Sequence, residues 1–412
     1  MKRRLKVAVW HNFGSGGAKR ALYDQVVGLQ AQGHHVEVWC PPSADRSFLS
    51  LGAMAPEHVL PLGPFELPRV DRAFYSRLGA MAKQLERFHA VNVHARLAAD
   101  EINATGADVV LTHICQWVAA PPLARYLTRP SVLFLHEPYR FLYEASPTLP
   151  WPAEADPSGG TLAKLRRFLG SSARLHPHRV QAREERESVL AFNRVLVNSR
   201  FSRESALRAY GVDAHVCYLG VDAARFANAK GPRTPIVLSV GQFSPLKNPA
   251  FVIDAVARTR TRPTLRWIAN TINDQAFARQ MRELADSRGV AFDLRVNVSE
   301  EELIGHYQQA AVFAYAPRLE PFGFAPLEAN ACGLPVVAVA EGGVRETIVD
   351  GENGLLVDDP QAMAAAIDAL VESPDRARAL GQRAASLVRD RWTLDAAAAR
   401  LERHLFEVAA AT

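Results

Sequence analysis

Cysteine is scarce in this sequence, and the four residues present form no motif. Cys40, Cys115, Cys217 and Cys332 lie far apart, each beside apolar residues, and no C-x-x-C occurs. The spacing excludes the C-x-x-C type of metal or redox site. It favours buried free thiols in a reducing compartment.

Long apolar runs are also missing. No stretch approaches the roughly 18–20 apolar residues that a membrane span requires. The first residues, M-K-R-R-L-K-V-A-V-W-H, are basic, but their apolar run is too short for the core of a signal peptide. No acidic or basic tail points to nucleic acid. We therefore expect a cytosolic protein, with a peripheral position at the inner face of the membrane as a further option.

The chain does contain enough apolar residues for two hydrophobic cores. It has 412 residues, of which 48% are hydrophobic, and this suits two domains of ordinary size. Lys and Arg exceed Asp and Glu by five, and the sequence pI is about 9.1. This mild basic excess suits an anionic substrate or a membrane surface, but arginines scattered over the surface explain it at least as well.

The N-terminal pattern predicts a β–loop–α–β unit of the Rossmann type. Its parts are a strand at Lys6–His11, a Gly-rich loop at Asn12–Gly17, a helix at Ala18–Gln32 and a strand at Val36–Cys40. Residues 41–68 are rich in proline and are expected to be irregular.

The Gly-rich loop differs from the dinucleotide-binding motif G-x-G-x-x-G, because Lys19 occupies the last glycine position. No acid ends the second strand to hold a ribose either, so a dinucleotide cofactor is disfavoured. Gly14, Gly16 and Gly17 still let the backbone approach a phosphate or a sugar. A plain strand–helix turn explains any one of these glycines equally well.

Two later strands, Asp108–His113 and Ser131–His136, are expected to end in histidine. The carboxyl end of a strand is where an open parallel sheet binds ligands, so both histidines are candidates for the site. A structural role is the more frequent explanation for a histidine at the end of a strand.

Residues 140–190 are predicted to form an insertion or lid, and residues 161–183 combine arginines and a lysine with leucines and a phenylalanine. This pattern permits a basic amphipathic helix at a membrane surface or against a lipid-linked acceptor. We prefer the alternative to membrane contact, in which this helix covers the core and its basic face is exposed to solvent. We expect the first domain to end near Asp222.

The second domain begins with a predicted strand at Ile236–Val240, and the loop G-Q-F-S-P-L-K-N-P follows it. A helix is predicted from about Ala250. Lys247 in this loop can donate a charge-assisted hydrogen bond to a diphosphate.

The stretch E-P-F-G-F-A-P-L-E runs from Glu320 to Glu328. It lies between a predicted strand, Val312–Ala316, and a predicted short helix, Ala325–Cys332, that Gly333 ends. The turn can present amides to a phosphate at the helix start, while one acid on each side reaches hydroxyls. A phosphate between two hydroxyl-bearing groups is the arrangement found in a nucleotide-sugar. For Glu320 and Glu328 considered without their context, a solvated loop with two surface acids is the alternative.

Several motifs occur along the chain in a fixed order. They are an S-x-F helix, G-V-D, G-Q…K-N, E-x7-E, G-G-V-x-E and D-G-x-N-G-L-L-V. Together they resemble the retaining glycosyltransferases of family 4, or glycosyl transferases group 1, which have the GT-B fold. The resemblance implies an α/β protein with two Rossmann-like domains that face each other across a cleft. It also implies an acceptor-side domain at 1–222, a donor-binding domain at 223–391, and a helix at 392–412 that returns to the first domain.

The resemblance implies transfer of a sugar from a nucleotide diphosphate-sugar to an acceptor hydroxyl, with retention at the anomeric carbon. The acceptor would be a glycan or lipid-linked, as in polysaccharide biosynthesis. Glu328 would bind the ribose, and Glu320 would hold the donor sugar. Lys247 and the amides of Gly323 and Phe324 would take the departing phosphate.

Four residues of the first domain complete the implied site. His136 would position the sugar or the acceptor, and His113 would line the acceptor side or hold a loop in place. Gly16 and Gly17 would contact the donor through their backbone.

Gln242 departs from the family pattern, which has arginine at this position. Glutamine brings no charge to the donor phosphates, and Arg318 or Arg345 could substitute on sequence position alone. No resident cofactor is expected. No D-x-D segment suited to a metal is present, so the reaction is expected to be metal-independent.

Two other functions remain open. One is a nucleotide-sugar epimerase or a phosphorolytic enzyme with the same fold. The other is a catalytically weak protein that binds a nucleotide-sugar or a membrane surface, which Gln242 and the basic stretch 161–183 would fit.

Overall fold

The computed structural model describes residues 3–62, 75–144, 160–227 and 231–411. The chain divides into two compact units. The first contains Met1–Asn198, Ser202–Tyr218 and Ala398–Thr412, and the second contains Ser199–Phe201 and Leu219–Ala397.

The first unit is built on a parallel sheet of seven strands in the order β3-β2-β1-β4-β5-β6-β7. Its central strands are apolar on both faces, as expected for a sheet with helices on either side. The strands are β1 (Lys6–Asn12), β2 (His35–Cys40), β3 (Glu57–Val59), β4 (Val109–Cys115), β5 (Ser131–His136), β6 (Arg194–Val197) and β7 (His215–Val216).

The strand order of the first sheet reverses between β1 and β4, which are neighbours in space but not in sequence. Loops that leave such a pair diverge and open a crevice at the carboxyl ends of the strands. The helices are α1 (Gly17–Ala31), α2 (Tyr75–Ala104), α3 (Arg140–Tyr143), α4 (Thr161–Ala191) and α5 (Arg200–Tyr210), with a 3-10 turn at Pro122–Arg125.

The second unit has a parallel sheet of six strands in the order β10-β9-β8-β11-β12-β13, and its order reverses between β8 and β11. The strands are β8 (Thr234–Val240), β9 (Thr264–Ala269), β10 (Phe292–Val296), β11 (Ala310–Tyr315), β12 (Val336–Val339) and β13 (Gly354–Val357). The second crevice is therefore bordered by the loops that follow Val240 and Tyr315.

The helices of the second unit flank this sheet, with a 3-10 turn at Pro245–Lys247. They are α6 (Pro249–Ala257), α7 (Gln275–Ser287), α8 (Glu300–Gln309), α9 (Phe324–Ala331), α10 (Val344–Thr347), α11 (Pro360–Val371), α12 (Pro374–Arg391) and the start of α13 (Leu394–Ala410). Their apolar faces enclose a core that includes Val237, Val312 and Val337.

From Ala398 onward, α13 belongs to the first unit. A Cβ added at Gly28 of α1 would lie 2.6 Å from Ala398 Cβ, so the absence of a side chain lets the two helices approach closely. His34 Nε2 and Glu402 Oε1 lie 3.0 Å apart in the buried interior of the same unit.

Two sequence expectations about secondary structure were wrong. β3 lies inside the Pro-rich segment that was expected to be irregular, where it adds a short edge strand to β2. β4 continues past His113 to Cys115, so His113 lies inside the strand.

Part of the predicted insertion, residues 145–159, lies outside the described residues. The described part is mainly α4, which is longer than expected and contains Pro177. None of the helices in the described part of the chain combines the length and hydropathy needed to cross a bilayer.

Candidate functional site

Lys247 lies on the loop that leaves β8, at the reversal point of the second sheet. The 3-10 turn at Pro245–Lys247 ends at Asn248, which has a left-handed φ of +54° and begins α6. Lys247 Nζ lies 2.5 Å from Glu320 Oε2 on the loop that leaves β11. The structure thus brings two predicted site residues into direct contact.

The loop around Glu320 is held to a second turn by hydrogen bonds that backbone amides donate. The amide of Leu319 donates to Glu341 Oε1 at 2.7 Å, and the amide of Gly343 donates to the carbonyl of Glu320 at 2.7 Å. Leu319 itself has a left-handed φ of +50°. A strained residue at this point is consistent with a loop whose shape is set by its neighbours.

The Gly342–Gly343 turn touches this loop so closely that neither residue can carry a side chain without movement. A Cβ added at Gly342 would lie 2.4 Å from the carbonyl oxygen of Glu320, and one added at Gly343 would lie 2.1 Å from that of Pro321. Gly342 also has a φ of +61°, whereas φ at Gly343 is −73°. Close approach of two backbones is therefore the reason for both glycines.

The helix after Glu320, α9, starts at Phe324 with Gly323 as its N-cap and without a side-chain cap. Its first amide groups have no partner within a helix, and such amides attract anions. At the other end, Gly333 has a φ of +64°, and the amides of Gly333 and Leu334 donate to the carbonyls of Asn330 and Ala329. The predicted helix stop at Gly333 is confirmed as a Schellman motif.

Glu328 lies in α9 and is largely buried, with 7% of its surface exposed. The hydroxyl of Tyr307 in α8 donates to Glu328 Oε2 at 2.9 Å, and Tyr307 is fully buried. Burial, together with the adjacent carboxylate, raises the pKa of Tyr307 well above its usual value. Tyr307 therefore stays protonated and donates a hydrogen bond to Glu328.

Tyr307 was missed by the sequence reasoning. It lies 21 residues before Glu328, and an aromatic residue in an amphipathic helix is typical of a core position. No local signal distinguishes it from a core aromatic residue.

We expect Tyr307→Phe to weaken donor binding several-fold while leaving turnover at saturating donor nearly unchanged. The variant removes one hydrogen bond that orients the Glu328 carboxylate. A bond to a charged group is worth about 1.5–3 kcal/mol in total, and donor binding loses only the part of it that fixes the position of the carboxylate. Isothermal titration with the donor and steady-state kinetics separate the two effects. Tyr126→Phe, which removes a hydroxyl that donates to Asn92 in the first unit, is the matched control. Equal donor affinity in both variants would contradict this role.

Gln242 and the two arginines named as substitutes for the missing charge are all exposed. The amide of Arg318 donates to the carbonyl of Leu246 at 2.8 Å, so Arg318 adjoins the Lys247 turn. Arg345 Nε donates to the carbonyl of Gly342 at 3.3 Å. Arg318 therefore lies on the loop that carries Glu320, and Arg345 lies in α10 directly after the Gly342–Gly343 turn.

In the first unit, His113 and His136 come from neighbouring strands and contact each other. His113 Nδ1 and His136 Nε2 lie 3.3 Å apart, and both side chains are buried. Phe13 packs edge-on against both rings, with centroids 5.6 and 5.9 Å away. His136 ends β5 with a left-handed φ of +58°, an uncommon conformation that marks it as a candidate for function.

Burial lowers the pKa of His136 to about 3 and holds the pKa of His113 well below its usual value. Both histidines are therefore neutral at physiological pH, and one of the two ring nitrogens at the contact accepts a hydrogen bond from the other. A neutral imidazole can hold a hydroxyl group in place without adding charge.

We expect His136 to make the protein less stable below pH 6.5. The unfolded chain binds a proton at this histidine near pH 6.5, whereas the native state does so only near pH 3. Between these values the unfolded state binds more protons, so stability falls as pH falls, by about 2 kcal/mol between pH 6.5 and pH 5 for this group.

Urea unfolding of wild type and His136→Asn at several pH values measures this contribution. Asparagine tolerates the left-handed backbone, so the comparison isolates the imidazole. The pH dependence should be smaller in His136→Asn and unchanged in the control His176→Asn, which replaces an exposed histidine in α4. The same pH dependence in all three proteins would refute the assignment.

His11 and Lys19 form a buried polar cluster near these histidines that the sequence reasoning did not single out. Neither His11 Nε2 nor Lys19 Nζ has a hydrogen-bond partner among the described residues. Burial lowers the pKa of both groups, and the Lys19 charge lowers that of His11 further. His11 lies near the end of β1, as His136 lies at the end of β5. The rule that selects histidines at strand ends could therefore have identified His11 as well.

His11, Cys40 and Glu57 have possible metal-ligand atoms within 4.8 Å of one another. The charge of Lys19 acts on all three of these groups and opposes a divalent cation among them. Metal independence of the reaction remains a prediction.

Gly16 and Gly17 begin α1 at the reversal point of the first sheet. Gly16 is the N-cap with a φ of +145°, and it provides no side-chain cap. A Cβ added at Gly16 would meet nothing within 4 Å, so the space over this helix start is open. Their predicted contact with the donor stays a prediction.

The geometry defines an α/β protein of the GT-B class. Among solved structures it resembles sucrose-phosphate synthase from Thermosynechococcus elongatus, with a TM-score of 0.73, 20% identity, and coverage of 99% of this chain and 100% of that one. It also resembles the Anabaena protein HepE in complex with UDP-glucose, with a TM-score of 0.68, 18% identity, and coverage of 98% and 100%. The predicted fold class is confirmed.

The chain belongs to the family described as Glycosyltransferase Family 4, whose profile matches residues 15–225. A second profile, described as Glycosyl transferases group 1, matches residues 221–387. The predicted family is therefore confirmed.

Two curated relatives are similar over about half of the chain. One is the D-inositol 3-phosphate glycosyltransferase of Kineococcus radiotolerans, 34% identical over 49% of this chain and 54% of its own length. The other is the GDP-mannose-dependent alpha-(1-6)-phosphatidylinositol monomannoside mannosyltransferase of Mycolicibacterium smegmatis, 31% identical over 49% of this chain and 59% of its own length. The chain thus spans little more than half the length of these relatives.

Proposed function

We propose that this protein transfers a sugar from a nucleotide diphosphate-sugar to an acceptor hydroxyl, with retention of configuration at the anomeric carbon. The observation that best supports this proposal is the 2.5 Å contact between Lys247 Nζ and Glu320 Oε2, beside the start of α9, which has no side-chain cap. A cation, free amides and a carboxylate at one point suit a sugar diphosphate, which offers negative charge and hydroxyls together.

In this proposal the donor replaces the internal ion pair. Lys247 binds the diphosphate, and Glu320 turns to the donor sugar and favours positive charge at its anomeric carbon. The bond from this carbon to the diphosphate breaks with its electron pair going to the phosphate, where Lys247 and the amides of Gly323 and Phe324 stabilise the charge. The acceptor oxygen bonds to the anomeric carbon from the face that the diphosphate leaves, which retains the configuration, and the acceptor proton passes to the departing phosphate oxygen.

Glu328 is proposed to bind the ribose hydroxyls of the donor, since its carboxylate is held by Tyr307. In the first unit, His136 is proposed to position the sugar or the acceptor as a neutral hydrogen-bonding group. Gly16 and Gly17 are proposed to let the backbone approach the donor.

The names of the relatives support a transfer reaction over epimerisation or phosphorolysis, since both are called glycosyl- or mannosyltransferases. One relative is named as dependent on GDP-mannose, and the Anabaena structure contains UDP-glucose. Both support a nucleotide-sugar donor without deciding the base. We propose a glycan or lipid-linked alcohol as the acceptor.

The test begins with a thermal-shift screen of UDP-, GDP- and ADP-sugars, because a ligand at 100 times its Kd stabilises by about 2.7 kcal/mol. The stabilising donor is then incubated with candidate acceptors, and nucleoside diphosphate release and the NMR coupling of the anomeric proton are measured. Acceptor-dependent release with retained configuration is expected, also in the presence of EDTA. Tight donor binding without release under any acceptor, or an inverted product, would overturn the proposal.

A further inference from the structure

The N-terminal half of α4 exposes large apolar side chains. Leu162, Leu165, Phe168 and Leu169 are 69%, 53%, 66% and 56% exposed. Their spacing of three, four and seven residues brings them to one side of the helix. This group, the α4 apolar patch, lies close together in sequence and in space, unlike the scattered apolar residues of an ordinary surface.

The part of α4 before Glu184 also concentrates positive charge. Residues 161–183 contain six Lys or Arg and no Asp or Glu, a formal charge of +6. The whole chain carries +5, so the remaining residues sum to −1. The basic excess of this protein is therefore local. The cations are Lys164, Arg166, Arg167, Arg174, Arg179 and Arg183.

The C-terminal half of α4 has the opposite character, because it is anchored in the core of the first unit. Glu185 is fully buried, and it accepts hydrogen bonds from the amide of Ala119 and the hydroxyl of Tyr210, each at 2.9 Å. Ser188 and Val189 are buried as well. One end of the helix is thus fixed to the fold, while the other end offers an apolar and basic surface.

We propose that the α4 apolar patch docks on an anionic lipid surface, with the leucines and Phe168 inserted among the acyl chains and the exposed Lys164 and Arg179 at the headgroups. Stable peripheral binding needs two signals, and apolar side chains beside a cluster of positive charge supply both. The charge of +6 over residues 161–183 favours binding to a negatively charged lipid surface rather than to a neutral apolar partner. This inference does not depend on the proposed reaction.

The test is co-sedimentation of the full chain with vesicles of phosphatidylcholine alone or mixed with phosphatidylglycerol. We expect binding to the mixed vesicles that weakens as salt is raised. The double variant Leu165→Gln/Phe168→Gln should lower the partition coefficient at least about tenfold. Lys164→Gln/Arg179→Gln should lower binding to the mixed vesicles several-fold. Leu190→Gln, at a residue 51% exposed near the other end of α4, is the matched control and should bind like wild type.

Three results would overturn the inference. The first is equal binding of wild type and Leu165→Gln/Phe168→Gln, and the second is equal binding to neutral and anionic vesicles. The third is self-association of wild type that this double variant abolishes, without vesicle binding, which would assign the patch to a second copy of the chain. Turnover with a water-soluble acceptor should be the same in wild type and the double variant, so a failure of the reaction is distinguishable from a failure of docking.

Discussion

Replacing Lys247 by methionine should lower turnover about 100- to 1,000-fold and change donor affinity less than tenfold. Removal of one group that stabilises charge at a departing oxygen costs this much in other enzymes. Methionine keeps an unbranched side chain of similar reach over Gly241, so the loop should keep its shape. The charge on the phosphate is greatest as the bond breaks, which is why the rate should suffer more than binding.

Single-turnover kinetics with saturating donor would measure this effect directly, and isothermal titration would give donor affinity. Lys247→Arg retains the charge and should recover part of the rate. A double-mutant cycle with Glu320→Gln tests the 2.5 Å contact, because residues in direct contact have non-additive effects. Turnover of Lys247→Met equal to wild type would contradict the assignment, and additive effects in the cycle would contradict the contact.

The parts of the fold that follow from local chemistry could be predicted from the sequence. The side chain of Ser299 accepts a hydrogen bond from the amide of Glu302, and the Glu302 carboxylate accepts one from the amide of Ser299. This is the capping box that a serine followed three residues later by glutamate indicates. Gly333 ends α9 as predicted because only a residue that accepts a left-handed φ completes a Schellman motif. Each of these signals is contained within a few neighbouring residues.

The contacts of the candidate site could not be predicted in this way, because they join distant parts of the chain. Lys247 and Glu320 are 73 residues apart, and they meet only because β8 and β11 are neighbours in the sheet. The E-x7-E pattern did predict that Glu320 and Glu328 flank a turn. It gave no information on Tyr307, which holds Glu328 from another helix.

The histidines show the same limit. The strand-end rule selected His113 and His136, but it could not show that the two rings touch, or that His113 lies inside its strand. Their low pKa values depend on burial by distant residues such as Phe13. The fold class was therefore readable from patterns, whereas the protonation state of the site required the packed structure.

Gly343→Ala should lower turnover about 100-fold even though alanine can adopt the backbone conformation of Gly343. Its φ of −73° is ordinary, so the effect is steric: the new Cβ would lie 2.1 Å from the carbonyl oxygen of Pro321, and one of the two must move by about 1 Å. Pro321 lies between Glu320 and the start of α9. Displacement of catalytic groups by about 1 Å can cost about 100-fold in rate.

Stability should fall by only about 1–3 kcal/mol, as for other overpacked sites, so the variant should still fold. Gly305→Ala is the matched control: a Cβ at Gly305 in α8 meets nothing within 4 Å, and alanine should stabilise the helix by about 1 kcal/mol. Urea unfolding and steady-state kinetics of the two variants separate folding from catalysis. If Gly343→Ala were as active as Gly305→Ala, the Gly342–Gly343 turn would not set the position of Glu320, and the close backbone contact would have no part in the chemistry.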